Sequence, residues 1–347
     1  MLPSTIAWTA RRVSPGGSGC SDIDRYATEM RACVMIEGQQ GVTWRHWCAL
    51  ADACERLGFE GLFRSDHYFS APGVSGRGAT DAWTLLGGLA ARTSRIRLGT
   101  LVSPVTFRPP ALLAKAATTV DEISNGRVEV GMGAGWWEEE HTQFGFPFFD
   151  VHERWARLEE AVPIVHGLWT QERFSFEGTY YRLDDAEFLP KPVQHPHPPL
   201  ILGGKAVGPR MQRLIGRYAD EFNTVGGLPD EVAGRFARAR AGFEAEGRDP
   251  ASLVTSLMTW FFVGRTEDEY LEKLHRAHAI DPDAGPFEEY RAEIERDCIV
   301  GTSERAAARL REYAESGAQR IFLNHELYDD LEMLEVVAND VLPRIDP

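Results

Sequence analysis

The apolar positions between residues 96 and 137 change from strand spacing to helical spacing and back. Residues 96–102 form a short apolar run typical of a strand buried on both faces. A helix then ends at Asn125-Gly126, and residues 127–132 resume as a strand. The apolar residues expected near one face of that helix are Leu112, Leu113, Ala116, Val120 and Ile123. Two consecutive strands of one sheet that are joined through a helix must run parallel.

The same unit recurs along most of the chain. Eight strands are predicted at 31–36, 61–65, 96–102, 127–132, 199–202, 221–225, 254–263 and 320–324. A hairpin at 174–183 lies outside the repeat, and residues 266–300 are expected to add extra helices. Eight strands alternating with helices predict an α/β fold, a (β/α)₈ TIM barrel with insertions. A doubly wound sheet is the alternative, and it is disfavoured because the pattern shows no topological switch and no break into two domains.

Composition narrows the classes of function. The chain has 347 residues, of which 43% are hydrophobic and 26% charged, and its net charge of -15 argues against a nucleic-acid or anionic-membrane partner. No apolar run approaches the roughly 20 residues of a spanning helix, and no secretory signal is recognisable. Five cysteines without a C-x-x-C pair indicate reduced thiols. We therefore expect a cytoplasmic protein.

The first 29 residues differ from the rest of the chain. Residues 14–19 form a flexible run of Ser, Gly and Pro, and a strand pattern begins directly after Met30. The sequence predicts a disordered extension over 1–29 and one domain over 30–347. Met30 is the hypothetical true start, which mass spectrometry of the native protein would test.

In a barrel, functional groups collect on the loops that follow the carboxyl ends of the strands. These ends carry Glu37, Gln39, Gln40, Ser65, Asp66, His67, Leu101, Val102, Ser103, Gly203, Gly204, Lys205, Asn223, Thr224, Asn324, His325, Glu326 and the loop 131–137. Asp66-His67 is the best acid/base candidate, because imidazole titrates near neutrality. The alternative for this pair is a capping or solvated role.

Two glycine turns follow the fourth and fifth strands. Gly131, Gly133 and Gly135 form a G-x-G-x-G pattern, which differs in spacing and position from a dinucleotide fingerprint. Glycines at such a turn let backbone N–H groups face a phosphate, although a tight turn alone would also explain them. Gly203-Gly204 provides a second turn, and Lys205 adds a positive charge.

The residues after the first glycine turn allow two interpretations. Trp136 and Trp137 could stack on a planar ring system or pack in the core. Residues 138–141, Glu-Glu-Glu-His, are expected to be a solvated run rather than a metal site, because no second ligand cluster exists.

Six segments together resemble the luciferase-like monooxygenase superfamily, in particular its branch of coenzyme F420-dependent oxidoreductases. They are residues 62–68, 93–100, 114–127, 131–137, 154–169 and 191–204. In order and spacing they cover about 30–341, and residues 1–29 match nothing.

The resemblance implies a deazaflavin or flavin across the mouth of the barrel. It places Asp66 and His67 near the ring and a non-proline cis peptide, Leu101-Val102, behind it. The phosphate is expected on the turn formed by Gly133, Ala134, Gly135 and Trp136, and around Gly203, Gly204 and Lys205. The sugar-phosphate dehydrogenases of the superfamily carry a catalytic Glu where this chain has Trp136, and their basic substrate-phosphate site is not evident. Both differences argue against sugar-phosphate activity.

The resulting hypothesis is hydride transfer between coenzyme F420 and a small organic substrate, with His67 moving a proton. The first alternative is an FMN-dependent monooxygenase that uses O₂ and reduced flavin from a partner reductase. A barrel hydrolase with two carboxylates, Glu37 with Asp66 or Glu326, is the second. A non-catalytic cofactor carrier is the third. The resemblance also implies a homodimer and a possible separate flavin or F420 reductase.

Overall fold

The computed structural model describes residues 30–70, 76–281 and 283–345. The predicted extension over 1–29 and the hypothesis about Met30 therefore concern residues outside these ranges. None of the helices within them is long and apolar enough to cross a membrane. Cys33, Cys48, Cys54 and Cys298 all have free thiols, as the sequence predicted.

Eight parallel strands close into a barrel, which confirms the predicted fold class. The eleven strands of the described residues are β1 (Arg31–Ile36), β2 (Gly61–Arg64), β3 (Arg97–Pro104), β4 (Val128–Gly133), β5 (Arg173–Glu177), β6 (Arg182–Glu187), β7 (Leu200–Gly203), β8 (Glu221–Val225), β9 (Val254–Gly264), β10 (Ile299–Thr302) and β11 (Arg320–Asn324). Around the barrel the order is β1-β2-β3-β4-β7-β8-β9-β11, and β11 returns to β1. The antiparallel pair β5–β6 is the predicted hairpin.

Helices connect the strands on the outside. They are α1 (Trp44–Leu57), α2 (Ala82–Arg92), α3 (Pro110–Ser124), α4 (Glu138–Phe144), α5 (Val151–Thr170), α6 (Pro209–Tyr218), α7 (Pro229–Ala245), α8 (Glu267–Ile280), α9 (Phe287–Asp297), α10 (Ser303–Glu315) and α11 (Leu331–Val336). Gly58 after α1 and Asn125 after α3 are both left-handed, as the sequence signals indicated. The extra helices expected within 266–300 are α8 and α9.

Two features of these elements differ from the expectation. β10 was not predicted, because it has only four residues and pairs with the last residues of β9, from Ile299 against Phe261 onwards. On α3, Leu112 is 55% exposed and Ile123 is 45% exposed, so their assignment to the buried face was wrong. The buried stripe runs through Leu113, Ala117 and Val120, and at 100° per residue the other two both fall about 80–100° to one side of Leu113.

A buried ionic layer closes the lower end of the barrel, where the amino-terminal ends of the strands lie. The Arg320 guanidinium pairs with Glu60 at 2.6 Å, with Glu129 at 2.6 Å and with Glu221 at 2.8 Å. Above this layer the interior is filled by Cys33, Met35, Phe63, Leu101, Ile201, Met258 and Phe322. Because the amino-terminal end is filled and charge-neutralised, any ligand site belongs at the opposite end.

Candidate functional site

Three glycines make room for the bulge in β3. A Cβ placed on Gly131 would lie 2.9 Å from Val102 Cγ1, and one on Gly133 would lie 2.6 Å from Val102 Cγ2. A Cβ on Gly203, on the neighbouring strand, would lie 3.1 Å from Cγ1 of the same side chain. The Leu101-Val102 peptide bond is cis, as the resemblance implied, and the β3–β4 ladder is interrupted between Thr100 and Ser103. These glycines therefore seat Val102 and form a wall without side chains, which we call the glycine wall (Gly131, Gly133 and Gly203).

The two predicted glycine turns leave adjacent parallel strands. Met132 of β4 is paired with Leu202 of β7, so both turns begin at the same edge of the barrel. Gly135 has φ +78°, a conformation that favours glycine, and its carbonyl accepts a hydrogen bond from Arg154 Nε at 3.1 Å. The Gly204 N–H donates to the Asn223 carbonyl at 3.0 Å, which extends the sheet. That amide is therefore engaged, and the predicted phosphate cradle cannot use it without breaking this bond.

His67 follows β2 and is held by a buried carboxylate. Its Nδ1 lies 2.8 Å from Glu140 Oε2. The other oxygen, Oε1, accepts hydrogen bonds from the backbone N–H groups of Tyr68 and Phe69. Since Nδ1 is occupied, Nε2 is the ring nitrogen left to exchange a proton with a ligand.

The prediction that residues 138–141 are a solvated run was wrong for half of them. Glu138 and Glu139 are exposed, but Glu140 is fully buried and His141 is 1% exposed. Because these residues form the helix α4, one side of the run turns towards the barrel and the other towards solvent. No cluster that could hold a metal ion occurs within the described ranges.

The surroundings of His67 favour its protonated form. Burial lowers the pKa of its imidazole, but the hydrogen bond to Glu140 and the negative charges of Glu140, Glu37 and Asp66 raise it, and the net pKa lies above the ordinary value. A histidine with such a pKa can both accept and donate a proton near neutral pH.

Asp66 is buried and bound to a cation that the sequence analysis did not identify. Its carboxylate accepts from Arg108 at 2.6 and 3.2 Å and from Ser103 Oγ at 2.6 Å. Arg108 also donates to Asp81 at 2.8 Å. Asp66 therefore anchors the loop after β3, and it orders the backbone beside His67. Arg108 stands alone in sequence, and no spacing signal could have linked it to Asp66.

Trp136 and Trp137 differ in exposure, so core packing applies to one and a free ring surface to the other. Their rings are stacked, with centroids 5.3 Å apart and an angle of 10° between the planes. Trp137 is 8% exposed and packs into the protein, whereas Trp136 is 68% exposed. The His67 ring makes edge-to-face contacts with both, with centroids 5.9 Å from Trp136 and 5.5 Å from Trp137. Trp136 is therefore an exposed aromatic surface beside the acid/base candidate.

The chain is similar to known proteins over most of its length. A model of luciferase-like monooxygenases matches residues 30–320. An F420-dependent glucose-6-phosphate dehydrogenase of Nakamurella multipartita is 32% identical over 315 residues, which cover 85% of this chain and 91% of that protein. An FMNH(2)-dependent dimethylsulfone monooxygenase of Pseudomonas putida is 32% identical over 198 residues, 56% of this chain and 54% of that protein.

Solved structures show the same fold. An F420-dependent secondary alcohol dehydrogenase in complex with an F420-acetone adduct has a TM-score of 0.77 at 22% identity, covering 92% of this chain and all of that chain. A monooxygenase, RslO1 of Streptomyces bottropensis, has a TM-score of 0.75 at 25% identity, covering 90% of this chain and 99% of that chain. Because the family model matches residues 30–320 and the Nakamurella relative is matched over most of its length, the chain belongs to the luciferase-like monooxygenase family of oxidoreductases.

Proposed function

We propose that this protein transfers a hydride between coenzyme F420 and a small organic substrate. The observation that carries the proposal is the His67–Glu140 pair, a partly buried and oriented proton-transfer group at the same barrel end as the glycine wall. Relatives named F420-dependent glucose-6-phosphate dehydrogenases, matched over 91% of their length, support this cofactor above FMN.

The residues present fit a deazaflavin. The glycine wall seats Val102, and this partly exposed side chain provides an apolar surface on which a flat ring could lie. The turn 133–136 follows directly, and exposed Lys205 supplies a positive charge for a phosphate. These residues would hold the cofactor. Asp66 contributes through Arg108, because both its oxygens are bonded to that side chain.

The chain contributes proton transfer and orientation to the reaction. When bound, F420 supplies the carbon that accepts or returns the hydride. His67 Nε2 would take up the hydroxyl proton when an alcohol is oxidised to a carbonyl, and would return it in the reverse reaction. Glu140 stabilises the imidazolium that forms, because an ionised acceptor strengthens the bond at Nδ1.

The structure argues against one of the two carboxylate pairs that a barrel hydrolase could use, Glu37 with Asp66. Asp66 is neutralised by Arg108 and is 1% exposed, so it does not offer a free carboxylate next to Glu37. The FMN-dependent alternative retains the same fold and is separated from the proposal by cofactor preference. A homodimer and a partner reductase both stay predictions; light scattering of the purified protein would test the first.

Titration of the apo-protein with F420 and with FMN tests the proposal directly. We expect F420 to bind at micromolar concentration or below, followed by coenzyme reduction on addition of an alcohol. The dissociation constant is read from cofactor fluorescence. Tight binding of FMN without binding of F420 would reverse the assignment, and binding of either without turnover would indicate a carrier.

A further inference from the structure

A cavity of about 420 Å³ lies at the rim of the barrel on the side of β1 and β11. We call it the rim cavity; its walls include Gln40, Arg77, Arg276, Ile280, Glu326 and Tyr328. Gln40 follows β1 and Glu326 follows β11, and β1 lies between β11 and β2, the strand that precedes His67. The charge of Glu37 raises the pKa of both His67 and Glu326, so the rim cavity lies on the same side of the barrel mouth as His67 and outside the glycine wall.

The two cations of the rim cavity already have partners. Arg276 is paired with Asp330 at 2.7 Å and with Asp329 at 3.3 Å. Arg77 donates to Gln40 Oε1 at 2.5 Å and to the Ile280 carbonyl at 3.2 Å. Arg77 thereby links the loop after β2 to the end of α8. Arg276 is thus ion-paired, whereas Arg77 donates to uncharged oxygens and keeps its positive charge.

Glu326 also lines the rim cavity. No described residue hydrogen-bonds to its half-buried carboxyl group. Burial and the negative charges of Asp281 and Glu37 raise its pKa to about 7, against the opposing effect of Arg77. The other charged or titratable groups that line the cavity are His46, Arg276, Tyr328 and Asp329, and the charge of Glu326 also acts on Tyr290 and Cys298. At neutral pH a large share of Glu326 is therefore protonated, and a protonated carboxyl group donates a hydrogen bond.

We propose that the rim cavity binds the part of the substrate remote from the reacting carbon, and that Glu326 hydrogen-bonds to an uncharged oxygen there. The substrate class is accordingly a neutral alcohol or carbonyl compound, and phosphate esters are excluded. An anionic group would face the negative charges of Asp281 and Glu37 beside Glu326; these outweigh the charge of Arg77, and Arg276 is ion-paired. This inference rests on the proposed function.

The test uses the F420-loaded protein and follows F420 reduction with four probes: 2-propanol, cyclohexanol, glucose and glucose 6-phosphate. We expect oxidation of at least one uncharged probe and none of the phosphate ester. Oxidation of glucose 6-phosphate in preference to glucose overturns the inference and leaves the proposed function intact. If F420 binds and no uncharged probe reacts, the substrate class is wrong. Failure to bind F420 overturns the proposed function instead.

Two variants test Glu326 itself with the best uncharged probe. Glu326→Ala should raise KM about tenfold with little change in kcat, the size expected for one lost hydrogen bond to a ligand. Glu326→Gln keeps a donor, so its KM should stay near the wild-type value at pH 6 and lack the rise that the wild type shows above pH 7. Ratios of variant to wild type at each pH cancel the contribution of His67.

The exposed surface variant Glu332→Gln is the matched control, since it removes a carboxylate on α11 that pairs with Arg265. An unchanged KM in Glu326→Ala overturns the assignment of Glu326. Equal loss in Glu326→Ala and Glu326→Gln at pH 6 also overturns it, because a donor would then be irrelevant. F420 affinity and thermal unfolding, measured for each variant, show that the fold and cofactor site are intact.

Discussion

At the scale of single residues, the site depends on carboxylates that are committed to particular partners. Glu140 is paired with His67, and Asp66 is paired with Arg108. The two acids look equivalent in sequence, since each stands beside a histidine. Their roles differ because one orients an imidazole and the other neutralises a guanidinium.

Replacing His67 by Ala should lower kcat at least a hundredfold, because the proton would have to move without a positioned acid or base. The dissociation constant of F420 should change less than threefold, since the cofactor wall is formed by glycines and Val102. Steady-state kinetics and fluorescence titration measure the two quantities. Comparable losses in both would contradict a role in proton transfer.

Replacing Glu140 by Gln should shift the pH profile of alcohol oxidation. Glu140 raises the pKa of His67, so its neutral replacement lowers that pKa. Oxidation requires neutral His67, and the rising limb of kcat against pH should therefore move to lower pH. The maximal rate should fall about tenfold or more through loss of the stabilised imidazolium. Glu139→Gln, an exposed neighbour on the same helix, should leave the profile unchanged; an unshifted profile in Glu140→Gln would refute the assignment.

At the scale of elements, β3, β4 and β7 act as one unit. The glycines of β4 and β7 accept the Val102 side chain, so the bulge of one strand depends on missing side chains in two others. Helix α4 serves the same site from the other side, because its buried face carries Glu140 and His141.

Substitution of Gly133 by Ala should destabilise the protein, because the new Cβ would lie 2.6 Å from Val102 Cγ2. We expect a loss of about 1–3 kcal/mol, which lowers Tm by several degrees. Gly204→Ala, in the turn after β7, is the matched control. Its Cβ would lie 3.7 Å from Met211 Cε, which is an ordinary van der Waals contact. Differential scanning calorimetry compares the two; equal Tm values would show that Val102 is not tightly seated.

At the scale of the whole molecule, the buried ion pairs and the proposed reaction site lie at opposite ends of the barrel. Arg320 and its carboxylates occupy the lower end, and the proposed proton-transfer groups occupy the upper end. Between them lies an apolar interior, so charge at one end is isolated from chemistry at the other.

Acid should destabilise the fold through buried histidines. Burial lowers the pKa of His325 and of His166 to about 4, with the charges of His197 and Arg248 adding to the effect at His166. An unfolded histidine binds its proton near pH 6.5, so the unfolded state gains protons first as the pH falls from there towards 4, and stability falls with it. Fully buried His325 alone should account for a loss on the order of 2 kcal/mol at pH 5 relative to pH 7. Urea unfolding at both pH values measures this; His325→Gln should flatten the dependence.

Periodicity and turn signals were enough to predict the eight strands of the barrel and their alternation with helices. These features depend on residues within a few positions of each other, and local patterns record such neighbours. The position of His67 after β2 and of the glycine turns after β4 and β7 follows from the same local information. The family resemblance added the cis peptide, which no periodicity signals.

Only the tertiary structure decided which groups meet. His67 and Glu140 are 73 residues apart, and Asp66 and Arg108 are 42 apart. The closing of the barrel and the seating of α4 bring such pairs together, and neither leaves a mark in the spacing of residues along the chain. The engagement of the Gly204 amide with Asn223 has the same origin, since a backbone bond between two strands depends on register rather than on residue type.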